Sequence, residues 1–355
     1  MNEDPEAPPL PADGEATAEA VQHDVAEQFV AKGHSPHSPE ARREAAIKTE
    51  RALRQQGIGV RRVAARSGNV LEIAKRVLVG AYYDGFIHAG NLAYMALIAL
   101  FPFFITATAL MGALGRTAEG VHALEVVLAT MPPAVADTLD GPVREVLRAR
   151  SGLLLWLGAA IGLWTVGSLV ETIRDILRRA YGTQYSASFW RYRLISMGLI
   201  VASVLLLLLS FSAQVLVTAV DQFVTRVLPE RFDSYFQIGL TRGLSALGLF
   251  FSLYLLFYTL TPSRYRSRRH PKWPGALLTA LWWVGVTLAL PPLLASLLSY
   301  DATYGSLAGV MISLFFFYLV GLGLVIGAEL NAALAETPGE QDPIGQSDDR
   351  TRKEA

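Results

Sequence analysis

The chain has 355 residues, enough for two or three soluble domains by length, but 52% are apolar, only 17% are charged, and the formal net charge is zero. Soluble proteins carry about 25% charged residues, and here the charges are swept into clusters between long uncharged runs, as in a membrane protein. The absence of cysteine excludes a disulfide framework, a thiolate metal site and a cysteine nucleophile.

The first 30 residues hold eight acidic groups and no basic one, opposite to a secretory signal. Residues 1–38, rich in Pro, Ala, Glu and Gly, read as disordered, and 39–56 as an exposed helix started at Ser38-Pro39 and stopped by Gly57 and Gly59. The whole stretch 1–69 is thus expected to be polar and largely disordered. Over residues 70–88, Val70, Leu71, Ile73, Ala74, Val77, Leu78, Ala81 and Tyr82 recur at helical spacing. They predict an amphipathic helix lying on the inner membrane surface.

Six runs free of charge follow: 89–114, 152–170, 194–220, 243–261, 274–298 and 305–328, between 19 and 27 residues long. About 20 residues cross a bilayer as a helix, and backbone groups in lipid must bond internally, so each run predicts a transmembrane helix. The loop 171–193 carries Arg174, Arg178, Arg179, Arg191 and Arg193, and the loop 262–273 carries Arg264, Arg266, Arg268, Arg269 and Lys272. Positive-inside bias places both loops and both termini in the cytoplasm. The loop 115–151 then lies outside. Within it 119–130 and 135–150 show helical apolar spacing on either side of Pro132-Pro133, as helices that either cap the bundle or lie in the interface. Trp190, Tyr192, Trp273, Tyr300 and Tyr304 stand at span edges, where aromatic anchors belong. The polar stretch 337–355 reads as a disordered cytoplasmic tail. The expected fold class is therefore all-α, a polytopic bundle of six transmembrane helices (domain 70–336), with amphipathic helices before the first span and in the first outer loop.

Signatures of enzymes do not surface. His34 and His37 are the one close histidine pair, in a Pro/Ser-rich stretch, and there is no Walker-type glycine loop or G-x-S-x-G elbow. No metal, no cofactor and no catalytic residue is expected. The basic loops are explained by orientation, so nucleic acid is not expected as a partner.

Within the spans, Gly158 with Gly162, Gly305 with Gly309, and Gly323 with Gly327 have G-x-x-x-G spacing, which lets a second helix approach closely. Pro102 in the first span and Pro291-Pro292 in the fifth are candidate helix breaks, a device found in transporters and also in polytopic proteins generally. The breaks fall in spans one and five, which do not correspond in a three-plus-three inverted repeat. Ionisable and polar groups gather at the inner edge. Glu329 and Asn331 end the last span. Glu171 ends the second, with Arg174, Asp175 and Arg178 on one face, and Asp84, His88 and Asn91 lead into the first. A carboxylate at that depth is costly unless compensated, and arginine is its usual partner. Glu329 paired with an arginine of 171–193 is the structural reading, and a proton or cation relay is the functional one.

The stretch YGSLAGVMISLFFFYLVGLGLVIGAELNAALAE at 304–336 resembles the C-terminal signature of the YihY/BrkB family of inner-membrane proteins. NLAYMALIALFPFFITATALMGALG at 91–115 is similar to that family's first helix, and KWPGALLTALWW at 272–283 to the start of its fifth; the likeness spans about residues 75–336. It marks Tyr304, Gly305, Gly309, Gly327, Glu329, Leu330 and Asn331 without assigning them a catalytic role. The resemblance implies a six-helix bacterial inner-membrane protein with both ends inside. In that family the label ribonuclease BN and the name virulence factor are both in use. A transporter, channel or lipid-handling protein acting on an ion, small molecule or lipid is the first expectation. A non-transporting assembly factor of the envelope is the second, and a nuclease lacks its ligand set. The lipid bilayer is the expected partner, and self-association is left open.

Overall fold

The computed structural model describes residues 12–56, 70–113, 131–149, 153–184, 234–267, 270–296 and 307–335, with 128, 190, 193–194, 196–198 and 200 besides. Among these the architecture is all-helical. Helices α1 (Ala12–Ala31) and α2 (Pro39–Gln55) form a hairpin; α3 (Val70–Gly80) runs through a π turn, Ala81–Gly85, into α4 (Phe86–Ala113). Then come α5 (Pro133–Ala149), α6 (Leu153–Tyr181), α7 (Ser234–Leu260), a 3-10 turn at Ser263–Tyr265, α8 (Trp273–Ser296) and α9 (Ala308–Ala333).

Three of the described helices are long and apolar enough to cross a membrane: Trp156–Tyr181 within α6, Trp273–Leu294 within α8, and α9. The bent pair Val70–Tyr83 and Phe86–Pro102 makes a fourth if taken as one span, and Leu247–Leu260 of α7 is a shorter apolar helix. The expected third span, 194–220, lies almost wholly outside the described residues, as do the helix expected at 119–130 and the tail 337–355. The outward faces are apolar: Leu277, Leu281 and Leu288 of α8, Tyr94 and Ile98 of α4, and Leu157 and Ile161 of α6 are exposed. Such a surface suits lipid and not water.

The centre is α9, which packs against α3, α4, α5, α6 and α8. Its pairing with α8 is antiparallel and unusually close. Gly275 of α8 has no Cβ, and one placed there would overlap the carbonyl oxygen of Gly327. A Cβ on Gly327 would strike Thr279, and one on Gly323 would strike the Trp282 ring. Three hydrogen bonds run down this seam: Gly275 N donates to Asn331 Oδ1 (2.8 Å), Thr279 Oγ1 to Gly323 O (3.2 Å) and Trp282 Nε1 to Leu319 O (2.7 Å). Elsewhere, Gly309 abuts Thr138 of α5, Gly158 and Gly162 are buried on α6, and Gly305 lies outside the described residues.

Two larger apolar clusters fill the ends of the bundle, and Ala99, Val166 and Ile200 form a smaller one beside them. Leu177, Tyr181, Phe257, Tyr265, Ala276, Val325 and Ala328 fill the end near the hairpin. Val135, Leu139, Leu290, Phe316 and Phe317 fill the other, so α5 caps the bundle there. Val135 and Leu139 of its apolar face are buried, and α5 packs on α4 and α9, as the capping placement requires.

Several expectations are corrected. Residues 12–31, expected to be disordered, form α1, and Val25 and Phe29 pack on Ala41 and Ala45 of α2. Val21, Val25 and Phe29 recur every four residues, a short stripe that becomes stable only on α2. The basic stretch from 171 is not a loop at first: α6 continues to Tyr181. Likewise α7 starts at Ser234, ahead of its charge-free run. Helix α4 continues through Pro102, and α8 through Pro291 and Pro292. The sharp change of direction, 63°, lies instead at the π turn between α3 and α4.

The α8–α9 seam predicts a contrast between two glycines on one helix. Gly275→Ala must push two backbones apart and is expected to cost about 1–3 kcal/mol, the usual penalty of overpacking. Gly285→Ala meets no atom within 4 Å and should leave stability unchanged or raised. Thermal unfolding of both variants in detergent checks this.

Candidate functional site

The last two turns of α9 are buried although they carry polar side chains: Glu329 is 8% exposed and Asn331 fully buried. Asn331 accepts from the Gly275 N–H, one of the donors that the first turn of α8 leaves without an intrahelical partner. Its Nδ2 has no hydrogen-bond partner among the described residues.

Glu329 faces α3. Gly80 closes that helix, and its missing Cβ leaves the space that the Glu329 carboxylate occupies. Ser35, from the α1–α2 connection, donates its hydroxyl to Glu329 Oε2 at 3.1 Å. The carboxylate opens on a crevice of about 10 Å³, room for about one water molecule, lined also by Tyr83, Gly85, His88, Ile176, Arg179 and Val325. The π turn Ala81–Gly85 forms one wall. Single π turns inside helices recur at functional sites, where they re-aim side chains.

The other expected residues are placed as follows. Arg179 shares the crevice with Glu329 and ion-pairs with Asp175 at 2.9 Å. Arg174 and Arg178 are buried on α6. Glu171 is engaged by Arg193 at 3.2 Å. That arginine is 3% exposed, lies 3.8 Å over the Trp164 ring and donates to Ser168 Oγ at 3.1 Å and to the Trp164 carbonyl. It ties residue 193 to the middle of α6. Asp84 lies in the π turn, and Asn91 is exposed on α4. No group of three His, Asp or Glu able to hold a metal is found among the described residues.

Sequence reading missed the residues that come from before the bundle. Gly33 and Gly182, at φ +69° and +71°, end α1 and α6 in the left-handed conformation that favours glycine. Arg179 ties these ends together: its Nη1 donates to Gly33 O at 3.0 Å, and its own carbonyl accepts from Ser35 N at 3.0 Å. Arg42 of α2 donates to Ala335 O at 2.8 Å and Ala332 O at 3.4 Å, satisfying carbonyls left over at the end of α9. Glu40 accepts from Arg264 Nη1 at 2.6 Å and from Tyr265 OH at 2.8 Å. Burial first, and the Glu40 carboxylate after it, hold the Tyr265 phenol well above its ordinary range, so it remains a donor. The signal for these contacts was the Ser-Pro-Glu start of α2, which fixes where Ser35 to Arg42 point.

A family described as Virulence factor BrkB matches residues 83–352. A ribonuclease-like protein of Bacillus subtilis, YfkH, is 27% identical over 71% of this chain and 90% of its own length. UPF0761 membrane proteins of Vibrio atlanticus and Aliivibrio salmonicida are 24% and 25% identical, over 70% and 71% of this chain and 78% and 79% of theirs. No solved structure matches.

His37 makes the docking of this connection sensitive to acid. Burial is the largest cause lowering its basicity; Glu72 opposes it, and Arg76, Lys75 and Arg42 add to it. The docked loop therefore binds fewer protons than the free one. Docking should be complete above the ordinary histidine value of about 6.5 and weaken as pH falls through it. Hydrogen exchange, corrected for intrinsic rates, is expected to show protection over 29–42 falling between pH 7 and 5.5. In His37→Gln that fall should vanish.

Proposed function

Because this chain belongs to the BrkB family of membrane proteins, we propose that it sits in the bacterial cytoplasmic membrane and moves an ion, small solute or lipid through its helical bundle, with the Glu329 crevice as the working site. The observation that carries the reading is the buried Glu329 carboxylate beside a π turn, where α3 gives way to α4. An acidic group buried inside a membrane bundle costs several kcal/mol unless compensated, and where one persists it commonly marks a pathway or relay. Here it meets a serine hydroxyl, an arginine, a histidine and a tyrosine around a small crevice. That set can exchange a proton or bind a polar group without a metal.

The proposal includes six spans: α4, α6, α7, α8 and α9, and the apolar run 194–220. Both chain ends are assigned to the cytoplasm. The α1–α2 hairpin, the end of α6, the turn Ser263–Tyr265 and the end of α9 lie together, and α5 lies at the opposite end. The basic stretches thus share one face, which supports the positive-inside assignment. YfkH is named ribonuclease-like, but among the described side chains the crevice offers a single carboxylate in a membrane bundle, a poor start for hydrolysis of RNA.

In proteoliposomes, Glu329→Gln is expected to reduce flux at least tenfold for whichever solute of an ion, amine and phospholipid panel the native protein moves. Glu50→Gln, on the outer side of α2, should leave flux unchanged. A native protein that moves none of them sinks the transport reading.

A further inference from the structure

The hairpin α1–α2 lies wholly before residue 83, where the family match begins, yet it supplies one wall of the Glu329 crevice. We propose that this hairpin is a gate over the crevice and that Ser35 is its latch. The gate's role in passage rests on the reading of the crevice as the working site; its covering of the crevice does not.

Three observations carry the proposal. First, the hairpin is a unit. Val25, Phe29, Ala41 and Ala45 give it a core of its own, separate from both clusters of the bundle. Lys48 bridges the two helices through Gln28 at 3.0 Å, so the hairpin can leave without unfolding. Second, the contacts described between it and the bundle are mostly polar: Arg42 on the end of α9, Glu40 on Arg264 and Tyr265, and the exchange between Arg179 and the 33–35 backbone, with Phe29 and Ser38 packed on the Gly182 backbone. Hydrogen bonds of this kind in water are individually weak, and each can be replaced by solvent. Third, the latch acts on the site itself. Ser35 is 5% exposed, and its hydroxyl donates to the Glu329 carboxylate. Undocking removes a donor from Glu329 and opens the crevice on the same stroke. A decorative hairpin would not need a side chain that reaches a buried acid.

The chain has no cysteine, so a single Val325→Cys places one thiol in the crevice wall of the full-length protein. The probe is a small, positively charged methanethiosulfonate, applied to protein in phospholipid nanodiscs. Glu40→Ala with Arg42→Ala removes outer contacts without touching the crevice. It is expected to raise hydrogen exchange over 29–42 and speed labelling of the thiol at least tenfold. Ser35→Ala should speed labelling by a smaller factor. Raised exchange with unchanged labelling means that the hairpin does not cover the crevice, and overturns the proposal. Unchanged exchange means that these contacts do not hold the hairpin, and overturns it also. Equal acceleration at a control thiol, Ala93→Cys in the opposite apolar cluster, means general loosening and counts the same way. Transport is not read in this experiment, so loss of the transport reading through Glu329→Gln and loss of the gate are separate outcomes.

Discussion

The seam between α8 and α9 is the constraint on which the other placements depend. In lipid, burying apolar side chains adds little, because the tails are as apolar as leucine. Close backbone approach and hydrogen bonds between helices must do the work, and both are concentrated here. Gly275, Gly323 and Gly327 remove the side chains that would keep the helices apart. Asn331, Thr279 and Trp282 then reach the partner's backbone. With α9 fixed in depth and rotation, Glu329 has one direction to face, toward Gly80 and the bend before α4. The same rotation sets Phe316 against Leu290 and α5 at the far end. The site is a consequence of the seam two residues away.

The bend itself has a local cause. An α-helix through 70–113 would be straight and would carry α3 along the axis of α4. The π turn at Ala81–Gly85 swings α3 by 63°, so that Val70, Leu71, Leu78 and Tyr82 face outward while Arg76, Val77 and Gly80 face α9. A helix with its apolar side outward and its arginine inward is inverted for water and right for the edge of a bilayer. Arg76 is kept by Glu72 at 3.2 Å, one turn away. Helix α4 passes Pro102, and α8 passes Pro291 and Pro292, as continuous helix. Pro291 and Pro292 come near the end of α8, where few intrahelical bonds remain to be lost.

Much of the architecture was legible because lipid enforces a simple rule. Charge-free runs near 20 residues mark α4, α6, α8 and α9, and the arginines mark which ends meet. Glu329, Asn331, Gly323 and Gly327 stood out as polar or missing side chains in an apolar helix, a local anomaly visible in one dimension. Their partners were legible only in part: an arginine of 171–193 was expected beside Glu329, and Arg179 shares its crevice. Arg193 engages Glu171, and Ser35 meets Glu329 across almost the whole chain, because such pairs are set by how helices rotate and by turns of unpatterned sequence. Helix α1 was missed for another reason. Its polarity is that of an unstructured segment, and its apolar contact with α2 comes from a short stripe, Val21, Val25 and Phe29. The π turn leaves no mark that separates Ala81–Gly85 from ordinary helix.

Two kinds of packing therefore meet at Glu329. On one side is a membrane bundle whose backbones touch, and whose contacts cannot be undone singly because α9 serves five neighbours. On the other is a small water-type hairpin whose core is its own and whose attachments are side-chain hydrogen bonds to helix ends. The free energy of the first is spread over many atoms. The second is a sum of terms of about 0.5–1.5 kcal/mol each, with screening at the exposed Glu40–Arg264 pair. On the gate proposal, undocking runs along this boundary and leaves the seam intact. The buried carboxylate lies on the boundary. If the hairpin gates the crevice, the carboxylate's position, and not its chemistry alone, makes it the point where undocking is felt inside the bundle.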